Sequence, residues 1–275
     1  MTQQSNTTWD IRLNGLRLGY GTHVVLDNVS GTLPGGRISF ILGGSGCGKS
    51  TLLRHILGLR RPMAGSIELG SQDLFALPTK QFRKLRRRMG VLFQDGALLG
   101  SLTLGDNVAL PLREHTNLAP SAIDALVQYN LGLVGLAEFA RYYPSELSGG
   151  MRKRAGLARA MVMNPPILLC DEPTSGLDPI NAAQMDHLLL DLRSHFPTMT
   201  IVVVSHDLQS LFNIADHVLV LNEGRAVYEG GLAELRATQD PYLRNFLDRT
   251  PSATRQTPAE LPPEVRQELA AWLGR

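Results

Sequence analysis

The sequence predicts an α/β fold in which a glycine-rich loop joins a buried strand to a helix. Residues 37–42 form a short apolar run, residues 43–51 are rich in glycine, and residues 51–57 follow with helical spacing. Two further apolar runs, at residues 167–172 and 200–204, have the length and composition of buried strands. Buried strands that are separated by helical segments are typical of a parallel sheet covered by helices.

The glycine-rich loop fits the pattern G-x-x-x-x-G-K-[ST] from Gly43 to Ser50. Glycines allow successive backbone N–H groups to turn toward a phosphate chain, and the helix that follows adds the partial positive charge of its N-terminus. Lys49 can reach the β- and γ-phosphates, and the Ser50 hydroxyl can ligate Mg²⁺. The loop therefore predicts a site for the phosphates of a nucleotide. A chance glycine-rich turn is the alternative, and the flanking strand and helix argue against it.

Two strands are predicted upstream of this loop, over residues 11–18 and 24–33. The first alternates apolar and polar residues, as a half-buried strand does. Tyr20 lies between the two strands and is flanked by Gly19 and Gly21. A tyrosine in such a turn usually serves packing. The phosphate loop that follows favours a second interpretation, in which the Tyr20 ring stacks on adenine.

Downstream of the loop, residues 81–89 are strongly basic. Their basic side chains are Arg83, Lys84, Arg86, Arg87 and Arg88. We interpret this segment as the solvated face of a helix, and a surface for phosphate or anionic lipid is the alternative. A buried strand over residues 89–93 follows and leads directly to Gln94. Because ligands gather at the carboxyl ends of parallel strands, Gln94 is a candidate for the nucleotide site.

The chain has helical spacing from residue 96 to residue 163, with one helix predicted over residues 122–131 and another that begins near Gly149. Ser148, Gly149 and Gly150 lie at the start of the second helix, where free N–H groups form a second anion site. The first turn of that helix carries Arg152, Lys153 and Arg154. Cations oppose the helix dipole at this end. Two interpretations stay open, namely an anion that approaches these side chains or side chains that are simply solvated.

Two strand ends supply side chains that can act in catalysis. The strand over residues 167–172 ends in Asp171 and Glu172, and the strand over residues 200–204 leads to His206. Beside a phosphate loop, Asp171 is predicted to hold Mg²⁺ through water, and Glu172 is predicted to polarise the attacking water. His206 is predicted to contact the γ-phosphate, because its strand delivers it to the same sheet edge as Glu172.

The C-terminal part of the chain adds a hairpin and a tail. Residues 218–221 and 226–228 are predicted to be two strands joined by a turn, which adds an edge to the sheet. Residues 250–263 contain four prolines and are predicted to be a linker. Residues 264–273 can form a short helix with apolar side chains on one side. A helix of this length is unstable alone in water, so it needs a surface on which to dock.

Composition restricts the class of protein. The chain has 275 residues and a net charge of +2, so bulk charge indicates no particular partner. No apolar run approaches the roughly 18 residues expected of a membrane-spanning helix. Residues 1–5 lack the charged and apolar regions of a signal peptide. The two cysteines, Cys47 and Cys170, form no metal-binding pattern, and a reducing cytosol is the simplest compartment.

Taken together over about residues 11–248, these motifs have the order and spacing of one family, and the chain resembles the nucleotide-binding subunit of an ABC transporter. The matching motifs are the Walker A loop at residues 43–51, the Q-loop at Gln94, the signature at residues 147–150, Walker B at residues 167–172, the D-loop at residues 175–178, the H-loop at His206 and the adenine-stacking position at Tyr20. This combination of motifs is highly specific.

The resemblance implies a RecA-like P-loop core with an antiparallel β-subdomain and a helical signature subdomain. The ATPase domain is expected over residues 1–249, with the helical subdomain inserted at about residues 96–164 and the tail over residues 250–275. ATP and Mg²⁺ are the implied cofactors. The implied nucleotide contacts come from Tyr20, Gly43, Gly44, Ser45, Gly46, Cys47, Gly48, Lys49, Ser50, Thr51, Gln94, Ser148, Gly149 and Gly150. The implied catalytic residues are Glu172, His206 and Lys49, and the implied metal ligands are Ser50, Gln94 and Asp171.

A finer resemblance concerns the signature helix. The commonest signature continues with Gln, whereas this chain has Met151. Residues 147–160, 93–98, 111–115 and 240–248 are similar to the MlaF-type ATPases of the Mla (MCE-linked) phospholipid transport systems of bacterial envelopes. This resemblance implies a homodimer, a membrane permease, an MCE-domain protein, a small STAS-domain partner and phospholipid as the transported substrate. It also implies a peripheral position on the cytoplasmic face of the inner membrane, and no nucleic acid.

Three other functions are disfavoured by particular features. An importer subunit for a polar solute is disfavoured by Met151 and by residues 93–98. Soluble ABC proteins that act on DNA or ribosomes usually have two nucleotide domains or a long coiled-coil insertion, and this sequence has neither. A regulatory module without turnover is disfavoured by Glu172 and His206. The resemblance further implies that two copies pair head to tail, so that each ATP lies between one Walker A loop and the signature of the other copy.

Overall fold

The computed structural model describes residues 8–248 and 262–274, and its elements have the predicted α/β character. The strands are β1 (Ile11–Tyr20), β2 (His23–Leu33), β3 (Ile38–Gly43), β4 (Ala64–Leu69), β5 (Gln72–Asp73), β6 (Met89–Leu92), β7 (Ile167–Asp171), β8 (Thr200–Val204), β9 (His217–Asn222) and β10 (Arg225–Gly231). The α-helices are α1 (Lys49–Ile56), α2 (Thr79–Arg86), α3 (Leu104–His115), α4 (Pro120–Leu133), α5 (Gly149–Met161), α6 (Pro179–His195), α7 (Leu208–Ile214), α8 (Leu232–Arg236), α9 (Pro241–Leu247) and α10 (Pro263–Trp272). The chain forms two compact units, the first ending at Ala237 and the second beginning at Thr238.

Two sheets organise the first unit. The larger sheet has the strand order β10-β9-β3-β8-β7-β6, in which every neighbouring pair is parallel except β10 with β9. The smaller sheet is antiparallel and has the order β2-β1-β4-β5. A parallel core sheet with a separate antiparallel sheet is the architecture predicted from the sequence, and that prediction is confirmed.

The hydrophobic core joins both sheets through α1. Leu52, Leu53 and Ile56 of this helix are buried together with apolar side chains from the strands of both sheets. Complete burial of a side chain of this size contributes about 1.5–3 kcal/mol relative to leaving it exposed. Helix α1 contacts β1 on one sheet and β3, β7 and β8 on the other. This packing fixes the start of α1, and with it the glycine-rich loop, against the ends of the core strands.

The order of the parallel strands gathers the predicted site residues along one edge of the larger sheet. Strands β3, β8, β7 and β6 are neighbours and run in the same direction, so their carboxyl ends meet there. These ends lead, in spatial order, to the glycine-rich loop, to His206, to Glu172 and to Gln94. Ligands of open parallel α/β sheets bind outside this edge.

The chain between β6 and β7 is helical, as the helical spacing from residue 96 to residue 163 predicts. It contains α3, α4 and α5 and two short 3₁₀ turns, Ala137–Phe139 and Pro144–Glu146. Helix α3 packs against both α4 and α5, and α5 also packs against β6. The N-termini of two of these helices are capped by side chains, α3 by Thr103 and α5 by Ser148. Helix α5 therefore connects this helical segment to the core sheet.

The second unit contains α9 and α10. Helix α10 agrees with the helix predicted over residues 264–273 to within one residue, and its apolar side chains Val265, Leu269 and Trp272 are exposed. Most of the predicted linker, residues 250–263, and the predicted domain boundary after residue 249 lie outside the described residues. Within the described ranges, no helix combines the length and apolar character that crossing a membrane requires.

A buried carboxyl group in α6 makes folding stability sensitive to pH. Asp186 is only 4% exposed. Its Oδ2 accepts a hydrogen bond of 3.1 Å from Nδ2 of Asn213, whereas its Oδ1 has no hydrogen-bond partner. Burial raises the pKa of Asp186 above its usual value, and the charge of Asp207 acts in the same direction. Ionised Asp186 therefore destabilises the folded state.

We expect Asp186→Asn to stabilise the protein by roughly 1 kcal/mol at pH 8, the usual scale for a stabilising substitution. The folded protein binds the Asp186 proton more tightly than the unfolded chain does, so wild-type stability falls as pH rises from about 4 through the raised pKa. The gain should therefore shrink as the pH falls through about 4 and disappear at about pH 3, where the carboxyl group is protonated in both states. Chemical denaturation at several pH values measures the difference. Asp191→Asn, at an exposed position of the same helix, is the control and should change little. An equal gain at pH 4 and pH 8 would contradict the explanation.

Candidate functional site

The glycine-rich loop is shaped to expose backbone N–H groups. Gly48 is the N-cap of α1 and has φ 108° and ψ 4°. A Cβ atom at Gly48 would lie 2.6 Å from the Leu26 side chain, so only glycine fits this position. Lys49, Ser50 and Thr51 form the first turn of α1, where the N–H groups lack acceptors within the helix. These groups and the helix dipole make the loop a site for an anion.

The Lys49 ammonium lies over the loop that precedes it. Its Nζ donates hydrogen bonds to the carbonyl oxygens of Gly43 at 2.8 Å and Gly44 at 2.9 Å. The same atom lies 4.0 Å from Sγ of Cys47. In the described part of the chain, no carboxylate forms an ion pair with Lys49. Its positive charge therefore has no direct carboxylate partner there and can interact with phosphate.

Glu172 and His206 come together at the sheet edge. Oε1 of Glu172 lies 2.9 Å from Nδ1 of His206, and the Ser205 hydroxyl lies 3.4 Å from Oε2. The Glu172 side chain is 15% exposed, whereas the His206 ring is 69% exposed. The carboxylate is thus held from two sides by the residues that follow β8. The exposed imidazole leaves its Nε2 free to face a bound molecule.

Asp171 lies next to Glu172 at the end of β7 and is partly buried. Burial and the charge of Glu172 raise the pKa of the Asp171 carboxyl group, while the cations Arg54 and Lys49 oppose this shift. The Asp171 carboxylate, the Ser50 hydroxyl and the Gln94 amide are hard oxygen donors, the type that Mg²⁺ prefers. No group of three or more His, Cys, Asp or Glu side chains forms a metal site among the described residues. These donors therefore fit Mg²⁺ that is shared with phosphate oxygens, rather than a site made of protein alone.

Tyr20 lies beside α1, where the sequence places an adenine-stacking ring. Its hydroxyl lies 3.4 Å from Oγ1 of Thr51 and accepts a hydrogen bond of 3.0 Å from Arg54. The Arg60 guanidinium lies 4.5 Å from the centre of the Tyr20 ring. Stacking of adenine on Tyr20 therefore has to use the other ring face or displace Arg60.

The signature turn belongs to a different part of the molecule. Ser148 is the N-cap of α5, and its hydroxyl accepts a hydrogen bond of 3.2 Å from the backbone N–H of Met151. Gly149 and Gly150 follow in the first turn of α5. In the described part of the chain, no hydrogen bond joins this turn to the glycine-rich loop. The two predicted anion sites are therefore not joined directly within a single copy.

The structure shows what the cations in the first turns of α5 contact, and for Lys153 it corrects both interpretations. Arg152 donates to the carbonyl oxygen of Leu147 at 2.6 Å, and Arg154 donates to that of Val134 at 3.2 Å. Lys153 is buried and donates to the carbonyl oxygen of Glu172 at 2.9 Å. These side chains therefore bind the protein itself, and Lys153 is neither solvated nor free for an external anion.

Sequence reasoning missed two residues that support the site. Lys153 follows Gly150 by three positions and precedes Leu157 by four, and all three are buried, so helical spacing could have placed it on the inner face. Asp207 accepts hydrogen bonds from the hydroxyls of Thr174 at 3.1 Å and Ser210 at 3.0 Å. It thereby ties the turn after β7 to the start of α7. Asp207 directly follows His206, and this position in the sequence could have identified it as a residue that supports the site.

Comparisons with known proteins agree with this architecture. The family described as ABC transporter matches residues 26–175. The probable ribonucleotide transport ATP-binding protein mkl of Mycobacterium tuberculosis (strain ATCC 25618 / H37Rv) is 42% identical over 238 residues, which are 86% of this chain. The chain spans 66% of the length of that relative, just under two thirds. The intermembrane phospholipid transport system ATP-binding protein MlaF of Escherichia coli (strain K12) is 42% identical over 228 residues, which are 83% of this chain and 84% of MlaF.

Solved structures of similar cassettes include dimers. The dimeric structure of a post-hydrolysis state of the ATP-binding cassette MJ0796, bound to ADP and Pi, matches with a TM-score of 0.74 and 30% identity. That match covers 81% of this chain and 98% of the MJ0796 chain. The cbiO1 protein of Clostridium perfringens, part of the ABC transporter complex cbiONQ, matches with a TM-score of 0.77 and 28% identity. That match covers 87% of this chain and 95% of the cbiO1 chain. This chain therefore belongs to the ABC transporter family.

Proposed function

We propose that this chain is the ATP-hydrolysing subunit of an ABC transporter that moves phospholipid between the membranes of a bacterial envelope. The observation that carries the enzymatic part is the Glu172–His206 pair, 2.9 Å apart, at the sheet edge that also presents Lys49. The transported substrate is supported by the name of the MlaF relatives, from Escherichia coli at 42% identity and Haemophilus influenzae at 39%. It is also supported by the signature helix with Met151.

The residues of the loop and of the sheet edge are assigned separate roles on ATP. Residues 43–51 surround the phosphates with N–H groups, Lys49 neutralises charge on the β- and γ-phosphates, and Tyr20 stacks on adenine. Mg²⁺ bound by Ser50, Gln94 and Asp171 would neutralise phosphate charge. Glu172 accepts a hydrogen bond from the attacking water and orients it toward the γ-phosphate, while His206 holds a γ-phosphate oxygen through its exposed nitrogen.

Two copies are required to complete each site in this proposal. Ser148, Gly149 and Gly150 form an anion-binding helix start that is separate from the Walker A loop of the same copy. A head-to-tail pair would place the signature of one copy against the γ-phosphate held by the other, with the dipole of α5 directed at it. Loss of the γ-phosphate would remove the bridge and let the pair open, which makes the equilibrium between closed and open pairs depend on hydrolysis. The dimeric structures of the related cassette MJ0796 support a dimer.

The remaining partners in this proposal are those that the resemblance to the MlaF-type ATPases implies. A membrane permease binds the dimer, and an MCE-domain protein and a small STAS-domain protein complete the complex. The chain then lies peripherally on the cytoplasmic face of the inner membrane and acts on no nucleic acid. Gln94 follows β6 and precedes the helical segment. It is therefore placed to transmit a change at the nucleotide to the part of the chain that contacts the permease.

A second transported substrate is favoured by one comparison. The mkl relative from Mycobacterium tuberculosis is named as a probable ribonucleotide transport protein and is as similar, at 42% identity, as MlaF is. A polar solute is therefore the alternative to phospholipid. The two alternatives predict different material in the purified complex, because a phospholipid carrier retains lipid acyl chains in detergent and a solute importer retains a binding protein.

The test is affinity purification of the chain from detergent-solubilised membranes of its native host, with mass spectrometry of the proteins and lipids that are recovered. We expect a permease, an MCE-domain protein, a STAS-domain protein and phospholipid above the level in a mock purification. A permease that is recovered with a solute-binding protein and without enriched lipid would favour the polar-solute alternative. Recovery of no membrane protein would contradict the transporter assignment of this particular chain.

The two cysteines provide a test of nucleotide binding in the loop. Cys47 is half-buried in the loop, whereas burial raises the pKa of the Cys170 thiol to about 12. Because the thiolate is the reactive form, iodoacetamide should label Cys47 and leave Cys170 unlabelled in the folded protein. ATP at ten times its Kd should slow the labelling of Cys47 about tenfold, since labelling then requires the rare unoccupied protein. Mass spectrometry of labelled peptides measures both rates, and denatured protein is the control for Cys170. Labelling of Cys47 at the same rate with saturating ATP would contradict its place in the nucleotide site.

A further inference from the structure

Lys153 is a buried cation that reaches from the signature helix to the catalytic loop. It lies in α5 and is only 6% exposed. Its Nζ donates hydrogen bonds to the carbonyl oxygen of Glu172 at 2.9 Å, to that of Ser175 at 2.5 Å and to the Ser175 hydroxyl at 3.3 Å. An ammonium group has three N–H donors, so all of its donors have acceptors on the turn that follows β7.

Burial of this ammonium group costs free energy, so packing alone does not explain a lysine at position 153. Removing an ammonium ion from water costs several kcal/mol, which is recovered only when its hydrogen bonds are complete. Burial lowers the pKa of Lys153, and the charges of Asp95 and Glu172 oppose this shift. An apolar residue would fill the same space without that cost. The polar contacts of Lys153 therefore need an explanation beyond packing.

The acceptor that matters most is the backbone of Glu172. This residue has φ 49°, in the left-handed region that costs a residue with a side chain about 1–2 kcal/mol. Its N–H donates to the carbonyl oxygen of Val204 at 2.8 Å, and its own carbonyl oxygen accepts from Lys153 and from the N–H of Ser175 at 3.2 Å. The strained conformation is therefore held from both sides of the residue. Because the backbone angles of Glu172 set the direction of its side chain, they also set where the carboxylate meets His206.

Helix α5 is also bound to the segment that follows Gln94. A Cβ atom at Gly156 would lie 2.8 Å from Cα of Gly96, so the two backbones approach as closely as glycines allow. Arg159 donates to the carbonyl oxygens of Ala97 at 2.8 Å and Gly96 at 2.9 Å. Helix α5 therefore contacts the Q-loop segment through Arg159 and the catalytic turn through Lys153, and its N-terminus is the signature.

We propose that Lys153 is a positioning residue that couples the signature helix to the catalytic carboxylate. By fixing the turn from Glu172 to Ser175 against α5, it keeps the Glu172 carboxylate in the geometry needed for hydrolysis. A displacement of α5, such as one produced when a partner copy engages the signature, moves this turn as well. This inference deepens the proposed function and rests on the role of Glu172 as the group that orients water.

The first experiment compares Lys153→Met with Arg154→Met in the full-length chain and the partners that co-purify with it. Both substitutions remove a cation from α5, but Arg154 donates to Val134, far along the chain from the catalytic turn. We expect Lys153→Met to lower kcat by about 10- to 100-fold, the effect of misplacing a catalytic group by about 1 Å. The KM for ATP and the Kd for nucleotide should stay within about twofold, because Lys153 makes no predicted contact with ATP. Arg154→Met should leave kcat within about threefold.

A double-variant cycle then asks whether Lys153 acts through Glu172. In the Glu172→Gln background the oriented carboxylate is already lost, so Lys153→Met should lower the single-turnover rate by no more than about twofold. A purely structural role would lower the rate by the same factor in both backgrounds. Equal losses in the two backgrounds, or a kcat of Lys153→Met equal to that of Arg154→Met, would overturn the proposal.

Lys153→Gln covers the case in which Lys153→Met fails to fold. Its amide keeps two N–H donors without the charge, so it should retain more kcat than the Met variant does. Thermal unfolding of each variant separates loss of fold from loss of rate. If only the Gln variant folds, the same cycle is measured with it. If Glu172→Gln alone keeps wild-type turnover, the role of Glu172 in the proposed function fails. If Glu172→Gln is slow and Lys153 variants are not, only this inference fails.

Discussion

Glu172→Gln is expected to bind ATP normally and to hydrolyse it about 10²–10⁴-fold more slowly, the usual range for loss of a general base. The amide has the shape of the carboxylate, so it can keep the contacts at His206 and Ser205 that hold Glu172. It carries no negative charge and is a weak proton acceptor, so it cannot orient and polarise water as the carboxylate does. Steady-state ATPase assays measure the rate, and titration with a fluorescent ATP analogue measures binding.

The control for this experiment is Glu138→Gln, at an exposed position of the helical segment. It makes the same chemical change away from the sheet edge, so its turnover should match that of the wild type. His206→Ala adds a second comparison, because it removes the partner of Glu172 and leaves the carboxylate in place. Near-normal turnover of Glu172→Gln would exclude Glu172 from the catalytic role, whatever its geometry.

Much of the fold follows from local patterns in the sequence. The run 200–204 forms β8 over the same residues, and the run 167–172 forms β7 to within one residue. Such segments are predictable because their apolar character, length and flanking breakers all favour one structure. Gln94, Glu172 and His206 lie at one edge because the carboxyl ends of neighbouring parallel strands lie at the same edge of a sheet.

The interactions that support the Glu172 carboxylate were not predictable in the same way. The lysine at position 153 looks like its arginine neighbours in a basic first turn, yet its acceptors lie on a turn about twenty residues further along the chain. The backbone conformation of Glu172 could not be predicted either, because φ 49° is unusual for glutamate and is imposed by tertiary hydrogen bonds. The contact between Gly96 and Gly156 depends on the packing of α5 against the Q-loop segment, which neither local sequence specifies. At the site, tertiary contacts therefore override the local conformational preferences of these residues, as is common where backbone strain serves function.

Lys49→Ala is expected to weaken ATP binding by about 10- to 100-fold, since a hydrogen bond to a charged group contributes about 1.5–3 kcal/mol. The Lys49 ammonium has no ion-pair carboxylate partner among the described residues, and it donates to two carbonyl oxygens of the loop that is proposed to bind the phosphates. Its removal takes away a positive charge and leaves the backbone N–H groups in place, so binding should be weakened rather than abolished. Nucleotide titration in the Glu172→Gln background measures affinity without interference from hydrolysis.

The choice of nucleotide makes this measurement specific for the β- and γ-phosphates. AMP lacks both, so Lys49→Ala should change the affinity for AMP much less than that for ATP. A general distortion of the loop would weaken both ligands together. Lys80→Ala, at an exposed position in α2, is the matched control and should change neither affinity. Unchanged ATP affinity in Lys49→Ala would contradict the phosphate-loop assignment, whereas equal losses for ATP and AMP would show that Lys49 supports the loop and not the phosphates.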